Sequence, residues 1–395
     1  MKETYDAIIV GAGPAGCSAA TFIAGLGYDV LLVDRAKFPR DKVCGDGISA
    51  TSIAVLDRMG VLKRIEDTNP QIYDGVTVSA PNSCIMMGKN PPVDGLTDYG
   101  YVIPRKEFDN TLLDFVREIP NVEVRERFHV KDLVREGGKI CGITGEEEKY
   151  RGRIIIGADG AHSVVARKLS LLNTDPRHKA FAMRAYFENV EGLTNSIEIH
   201  YEKSILPGYA WIFPTGKTTA NVGIGVGTRF MEAKGIKNLF NIFLERNCFA
   251  REKLGNANMI ENTLKGWPIP FGSLPSKRSR GNVLLIGDAA SFVDTLTGEG
   301  IYYALRSGEY AARAVSEVLK NPGKEERAGG IYEKLWKKEF KWKEFFQGYM
   351  LQPVMGNKHI VNFAIKNAGR KQKNADVLAG VIAHKLPKSK LLYNF

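Results

Sequence analysis

The chain has 395 residues, 44% of them apolar, and 55 Lys+Arg stand against 44 Asp+Glu, a formal charge of +11. That length and composition fit an ordinary globular protein of two domains, and no apolar run reaches the roughly 18 residues of a membrane span. Five scattered cysteines without a C-x-x-C pair indicate neither a disulfide framework nor a zinc site, and fit a reducing, cytoplasmic compartment.

Taken in order, the chain enters an apolar run at Tyr5–Val10 within a few residues, so a signal peptide is not expected. A glycine turn, Gly11-x-Gly13-x-x-Gly16, follows, then a small-residue helix to about Leu26 and a second apolar run that ends in Asp34. Strand, glycine turn, helix, and strand with a terminal acid form the dinucleotide-binding pattern, and this order gives the glycines their meaning. Gly11 permits the tight turn, Gly13 lets a pyrophosphate approach the backbone, and Gly16 lets helix and strand pack closely; Ala15 belongs to the same turn. Phosphate charge suits the helix N-terminus, and Asp34 stands where a ribose hydroxyl needs an acceptor. Because this half-site recognises adenosine diphosphate, it does not by itself separate NAD from FAD.

An irregular stretch over 38–49 and an amphipathic helix near 52–59 come next. Apolar strands return at 152–160 and 281–288, and their continuous runs suit parallel strands buried on both faces. Between 179 and 227 the pattern changes to alternation, which suits antiparallel strands with one face covered. The expected architecture is therefore α/β. A discontinuous dinucleotide-binding domain (1–75, 100–178 and 280–324) surrounds an inserted β-rich substrate domain (76–99 and 179–279), and a helical C-terminal part covers 325–395. Within that part, Tyr332, Trp336, Phe340, Trp342, Phe345 and Phe346 interleave with Lys334, Lys337, Lys338, Lys341 and Lys343. Core-packed helices and interfacial membrane helices share this composition. Without a recognition motif beside the charge, nucleic acid is not an expected partner.

Two later motifs carry a resemblance. Gly157-x-Asp159-Gly160-x-His162-Ser163 followed by Arg167, and Gly287-Asp288 followed by Thr297-Gly298-Glu299-Gly300-Ile301, resemble fingerprints of the glutathione-reductase-type flavoproteins of the p-hydroxybenzoate hydroxylase branch. The resemblance implies a Rossmann domain holding FAD. It implies that Asp288 accepts from the ribityl hydroxyls, that the backbone of Gly300 and Ile301 neighbours the flavin ring, that Arg105 contacts the cofactor, and that Val130 contacts adenine. The lesser alternative for Arg105 is a surface residue at a helix start. Asp159 is expected to organise the cofactor loops and His162 to be a structural hydrogen-bond donor.

Within that branch the chain resembles the geranylgeranyl reductase family as far as about residue 350. One carrier is Cys44-Gly45-x-Gly47, a turn whose backbone contacts FAD in the family and whose thiol lies near the ring. The other is Tyr209-x-Trp211-x-Phe213-Pro214 followed by Gly223-x-Gly225, which lines an isoprenoid cavity there; Pro207 stands closer to the tyrosine than the family pattern has it. From spacing alone, Tyr209, Trp211 and Phe213 share one strand face, either as a cavity wall or as core filling. Cys44 is either a catalytic thiol or a small buried residue. The family implies reduction of carbon–carbon double bonds in geranylgeranyl chains of membrane ether phospholipid precursors, at a membrane surface. Electrons would come from a nicotinamide cofactor, ferredoxin or another reduced carrier. The same fold also serves FAD monooxygenases and halogenases of aromatic substrates, and a flavin electron-transfer protein is a third reading.

Overall fold

The computed structural model describes residues 4–231, 235–321 and 323–391. Its first layer grows from Tyr5–Val10, which pairs in parallel with Val30–Val33 on one side and with Lys149–Gly157 on the other. Val122–Arg125 and Val283–Leu285 extend the two edges, again in parallel. The three runs separated by more than a hundred residues thus meet in one sheet, as their continuous hydrophobicity requires. Against it pack helices Pro14–Ala24 and Ile301–Leu319, so close that a Cβ on Gly308 would lie 2.7 Å from the Ala19 nitrogen. Strands Asp132–Glu136 and Lys139–Thr144 continue antiparallel from the first half of Lys149–Gly157.

The second sheet contains Lys179–Glu188, Ala220–Gly227, Tyr209–Pro214, Ser196–His200, Gly75–Ser79 and Ile85–Lys89 in that spatial order. Its pairings are antiparallel except one, since Ser196–His200 runs parallel to Gly75–Ser79. The expectation of a single covered face is corrected. Helices Gly235–Arg246 and Cys248–Leu254 bury Ala210, Ile212, Val222 and Ile224 on one side, and the other side faces the first layer. Alternation survives because the two faces differ in character: aliphatic toward the helices, aromatic and glycine-rich toward the first layer.

Helices Ala328–Trp336, Gln347–Met355, Lys358–Arg370 and Gln372–Ile382 form the C-terminal part, joined over Lys337–Phe346 by a wide π-helical stretch. Trp336, Phe340 and Phe345 pack around Phe292. Their spacing of four and then five residues needs the wider turn to return Phe345 to the buried side. Trp342 and Phe346 are left outside, 61% and 45% exposed. Among the described residues no helix is long and apolar enough to cross a membrane.

Candidate functional site

A cavity of about 730 Å³ lies between the two sheets. Of the residues nominated from the sequence for cofactor or cavity contact, all line it except Pro214, Gly223 and Gly16, and a Cβ on Gly16 would stand 1.8 Å from the Gly11 carbonyl oxygen. Gly16 therefore serves the turn from behind.

At the glycine end, Gly11 has φ +107°, and a Cβ there would meet the Ala158 carbonyl oxygen at 2.4 Å. Gly13 is different, because its Cβ direction is open to the cavity and the nearest atom is an Arg40 guanidinium nitrogen at 3.5 Å. This open backbone at a helix start, with Ala15 beside it and a basic group above it, is a cradle of the kind phosphate requires. Asp34 accepts the backbone N–H groups of Ala12 and Ala36, both at 2.7 Å, one on each carboxylate oxygen. Each oxygen keeps a lone pair for a hydroxyl donor. Val130 lines the same end.

In the middle, Arg105 opens the helix Arg105–Arg117 and is 7% exposed, which overturns its surface reading. The reason is Asp109 one turn on, fully buried, which accepts the guanidinium at 2.5 and 2.8 Å and is also 2.9 Å from Arg40. Arg105 also acts electrostatically on the Cys44 thiol. Burial pushes the Cys44 thiol up, with Arg105 opposing, so the group is protonated at neutral pH. Asp288 lines the wall with Lys42 3.9 Å away, and Lys42 lies over the Trp267 ring at 4.6 Å. Burial pushes the Lys42 ammonium down to about 8, against the pull of Asp288. Gly300 caps the helix Ile301–Leu319, so the positive helix end points into the cavity. Asp159 accepts from the Ser163 hydroxyl at 2.5 Å and the Val164 N–H at 2.6 Å, which shapes that turn. His162 stacks edge-on against Trp267 at 5.1 Å.

At the far end, Tyr209, Trp211 and Phe213 stand in a row with centroids 6.3 and 6.4 Å apart. Their polar atoms are occupied: the Tyr209 hydroxyl donates to the Thr297 carbonyl and the Trp211 N–H to Asn221 Oδ1. The row presents carbon to the cavity, alongside Ile197, Ile199 and Ile382. Gly223 pairs with Trp211 across the sheet, and a Cβ there would lie 2.3 Å from the indole. The G-x-G of the motif thus clears space for the ring. Gly45 does the same for Phe213, whose ring would meet its Cβ at 3.1 Å.

Five polar residues around this site, Asp46, Tyr186, Asn221, Arg184 and Asp41, escaped the sequence reading. Asp46 accepts the Tyr186 hydroxyl at 2.6 Å and the Asn221 amide at 2.7 Å, while Asn221 also donates to the Cys44 carbonyl at 2.7 Å. Arg184, fully buried, pairs with Asp41. The available signal was a polar residue within an otherwise apolar strand, as at Arg184 and Asn221. Among the described residues no cluster of His, Cys, Asp or Glu suits a metal ion.

A family model for the FAD binding domain matches residues 4–199, and one for the geranylgeranyl reductase catalytic domain matches 179–264. The chain is 30% identical over 351 residues to digeranylgeranylglycerophospholipid reductase 1 of Methanococcoides burtonii, covering 86% of this chain and 81% of that one. It is 30% identical to the menaquinone reductase of Mycobacterium tuberculosis H37Rv, covering 79% and 76%. A geranylgeranyl bacteriochlorophyll reductase-like protein of Thermoplasma acidophilum shares the fold with TM-score 0.85 at 23% identity, over 99% of this chain and 98% of that one. The myxobacterial chondrochloren halogenase superposes less well, with TM-score 0.76 at 23% identity over 97% and 91%.

Proposed function

Since the chain belongs to the geranylgeranyl reductase family of FAD-dependent oxidoreductases, we propose that it saturates double bonds of geranylgeranyl chains on a membrane ether phospholipid precursor. The observation that carries this reading is the division of one cavity. A glycine-lined, charged half suits FAD, an aromatic and aliphatic half suits a prenyl chain, and the Cys44–Gly45 turn stands between them. When bound and reduced, FAD supplies the hydride. An isolated alkene offers no polar handle, so the work of Tyr209, Trp211 and Phe213 is to hold the chain by its shape and to keep water out. Gly13, Asp34, Arg105 and Asp288, with the backbone of Gly300 and Ile301, are the residues assigned to the cofactor, Val130 to its adenine end. Cys44, a buried thiol that keeps its proton at neutral pH, is the candidate source of the proton for the second carbon.

Each buried CH₂ is worth about 0.8 kcal/mol, so a twenty-carbon chain stays in the bilayer and the enzyme meets it there. Trp342, Phe346, Met350 and Val354 form an exposed stripe at four-residue spacing, flanked by outward-facing Lys338, Lys341 and Lys343. The acids of the same stretch are paired, Glu339 with Arg306 and Glu344 with Lys388. This stripe is assigned to an anionic lipid surface. Lys337, bonded to Glu333 at 2.7 Å, drops out of it. The electron donor is a reduced carrier of the nicotinamide or ferredoxin kind.

The test is to reduce the flavin chemically without oxygen, add a geranylgeranyl phospholipid and weigh the product. Two hydrogens gained per bond are expected. A requirement for oxygen and an aromatic compound would instead make the protein a monooxygenase or halogenase, and flavin that exchanges electrons but leaves every lipid unchanged would make it a carrier.

A further inference from the structure

We propose that Asp46 is a positioning residue of this reaction: acting through its turn, it fixes Cys44 and Gly45 against the aromatic wall of the cavity. The inference deepens the reductase reading and rests on it for its kinetic part.

Asp46 stands behind the wall, fully buried, while Cys44, Gly45 and Gly47 line the cavity in front of it. Its φ of +67° lies in the left-handed region, which glycine adopts at least cost and which Asp tolerates better than most residues. The carboxylate therefore serves more than backbone freedom. One of its oxygens accepts both Tyr186 and Asn221, from two different strands of the substrate sheet. Its carbonyl accepts the Ile103 N–H at 2.9 Å. Asn221 closes the circuit by holding the Cys44 carbonyl and the Trp211 indole. One side chain thus ties the turn beside the cofactor half to the wall of the substrate half.

The second carboxylate oxygen has no partner among the described residues. Tyr186 and Arg184 face the carboxyl from one strand, Asn221 from the next, Arg105 from its helix, and Cys44 from the turn itself. Burial pushes the carboxyl up to about 6, against the donors and the two guanidinium groups. An ionised carboxylate holds Tyr186 and Asn221 by charge-assisted bonds, and protonation weakens them. Turnover should accordingly fall on the acid side of about pH 6.

The holoenzyme carrying Asp46→Gly, which keeps the left-handed turn and removes the carboxylate, is compared with Asp46→Asn. Expected for Asp46→Gly are retained FAD, a KM near wild type, and kcat lower by about tenfold or more. Alkylation of Cys44 by iodoacetamide, read by mass spectrometry against the exposed Cys248, should be faster. Asp46→Asn, which keeps the accepting oxygen but not the charge, should slow labelling, hold kcat at the reduced level that wild type reaches on the acid side of about pH 6, and lack the acid limb. Wild-type kcat and labelling in Asp46→Gly, or an acid limb that persists in Asp46→Asn, would overturn the proposal. If Asp46→Gly does not fold, the pH profile of Asp46→Asn decides. If the wild type reduces no lipid, the reductase reading fails, and Cys44 labelling still decides the role of Asp46.

Discussion

The hydroxyl of Tyr209 donates to the carbonyl oxygen of Thr297 across 2.5 Å, joining the aromatic wall of the substrate sheet to the glycine loop that precedes the helix Ile301–Leu319. Gly298, at φ +72°, leaves room for it, since a Cβ there would stand 2.5 Å from the same hydroxyl. Tyr209→Phe leaves the carbonyl of half-buried Thr297 without its donor and should cost about 1 kcal/mol in urea unfolding while FAD stays bound. An unchanged midpoint would show that Thr297 is satisfied without it.

Gly13 and Gly16 lie three residues apart and should fail differently. A side chain at 13 projects into open cavity, so Gly13→Val should fold, as read by circular dichroism, yet purify colourless. A side chain at 16 collides with backbone at 1.8 Å, so Gly16→Val should not give a folded protein at all. Yellow Gly13→Val protein would remove the phosphate cradle from the cofactor assignment.

Cys44→Ser separates contact from chemistry. The serine fits the same turn and keeps a hydrogen-bonding atom near Arg105, so FAD content should match wild type while single-turnover reduction of lipid is lost. Undiminished reduction would leave Cys44 a packing role alone.

Lys388 is 2% exposed and bridges Asp294 at 2.8 Å and Glu344 at 2.6 Å, so it pins the end of the chain to the loop before Thr297. Lys388→Met leaves Asp294 without its cation and Glu344 with His384 alone, and should cost about 3–5 kcal/mol. Burial would raise the Glu344 carboxyl, but His384 and Lys388 outweigh it and hold the group at about 2. Because the folded value lies below the ordinary 4.5, this stability is present above that pH and is lost as pH falls toward 2. Thermal unfolding of wild type should therefore weaken over that range more steeply than that of Lys388→Met. Parallel pH profiles would contradict the linkage.

Replacing Trp342 and Phe346 by Ala, or Lys338, Lys341 and Lys343 by Glu, should weaken co-sedimentation with phosphatidylglycerol vesicles. Each lysine contributes about 1 kcal/mol near an anionic surface, and salt screens it. Activity on lipid in a bilayer should fall with binding, and activity on detergent-dispersed lipid should not. Vesicle binding untouched by both sets would return the stripe to an ordinary helix surface.

Signals confined to one element were legible in the sequence. The order of strand, glycine turn, helix and acid identified the dinucleotide half-site, because the steric demands of a turn are met by the residues that make it. Alternation put Tyr209, Trp211 and Phe213 on one face, because the strand repeats every two residues. Whether that face met solvent, core or cavity depended on residues from elsewhere, and it was Gly223 on the neighbouring strand and Gly45 on a distant turn that made room for the rings. Arg105 became a buried residue through Asp109 and Arg40 together, and Asp46 gained its role through Tyr186 and Asn221, 140 and 175 residues away. Among the aromatics of the C-terminal part, a wide helical turn decided that Phe345 is buried and Phe346 exposed. A side chain's periodicity is set by its own backbone, whereas the partner that lets a buried polar group remain buried is supplied only when the chain has folded.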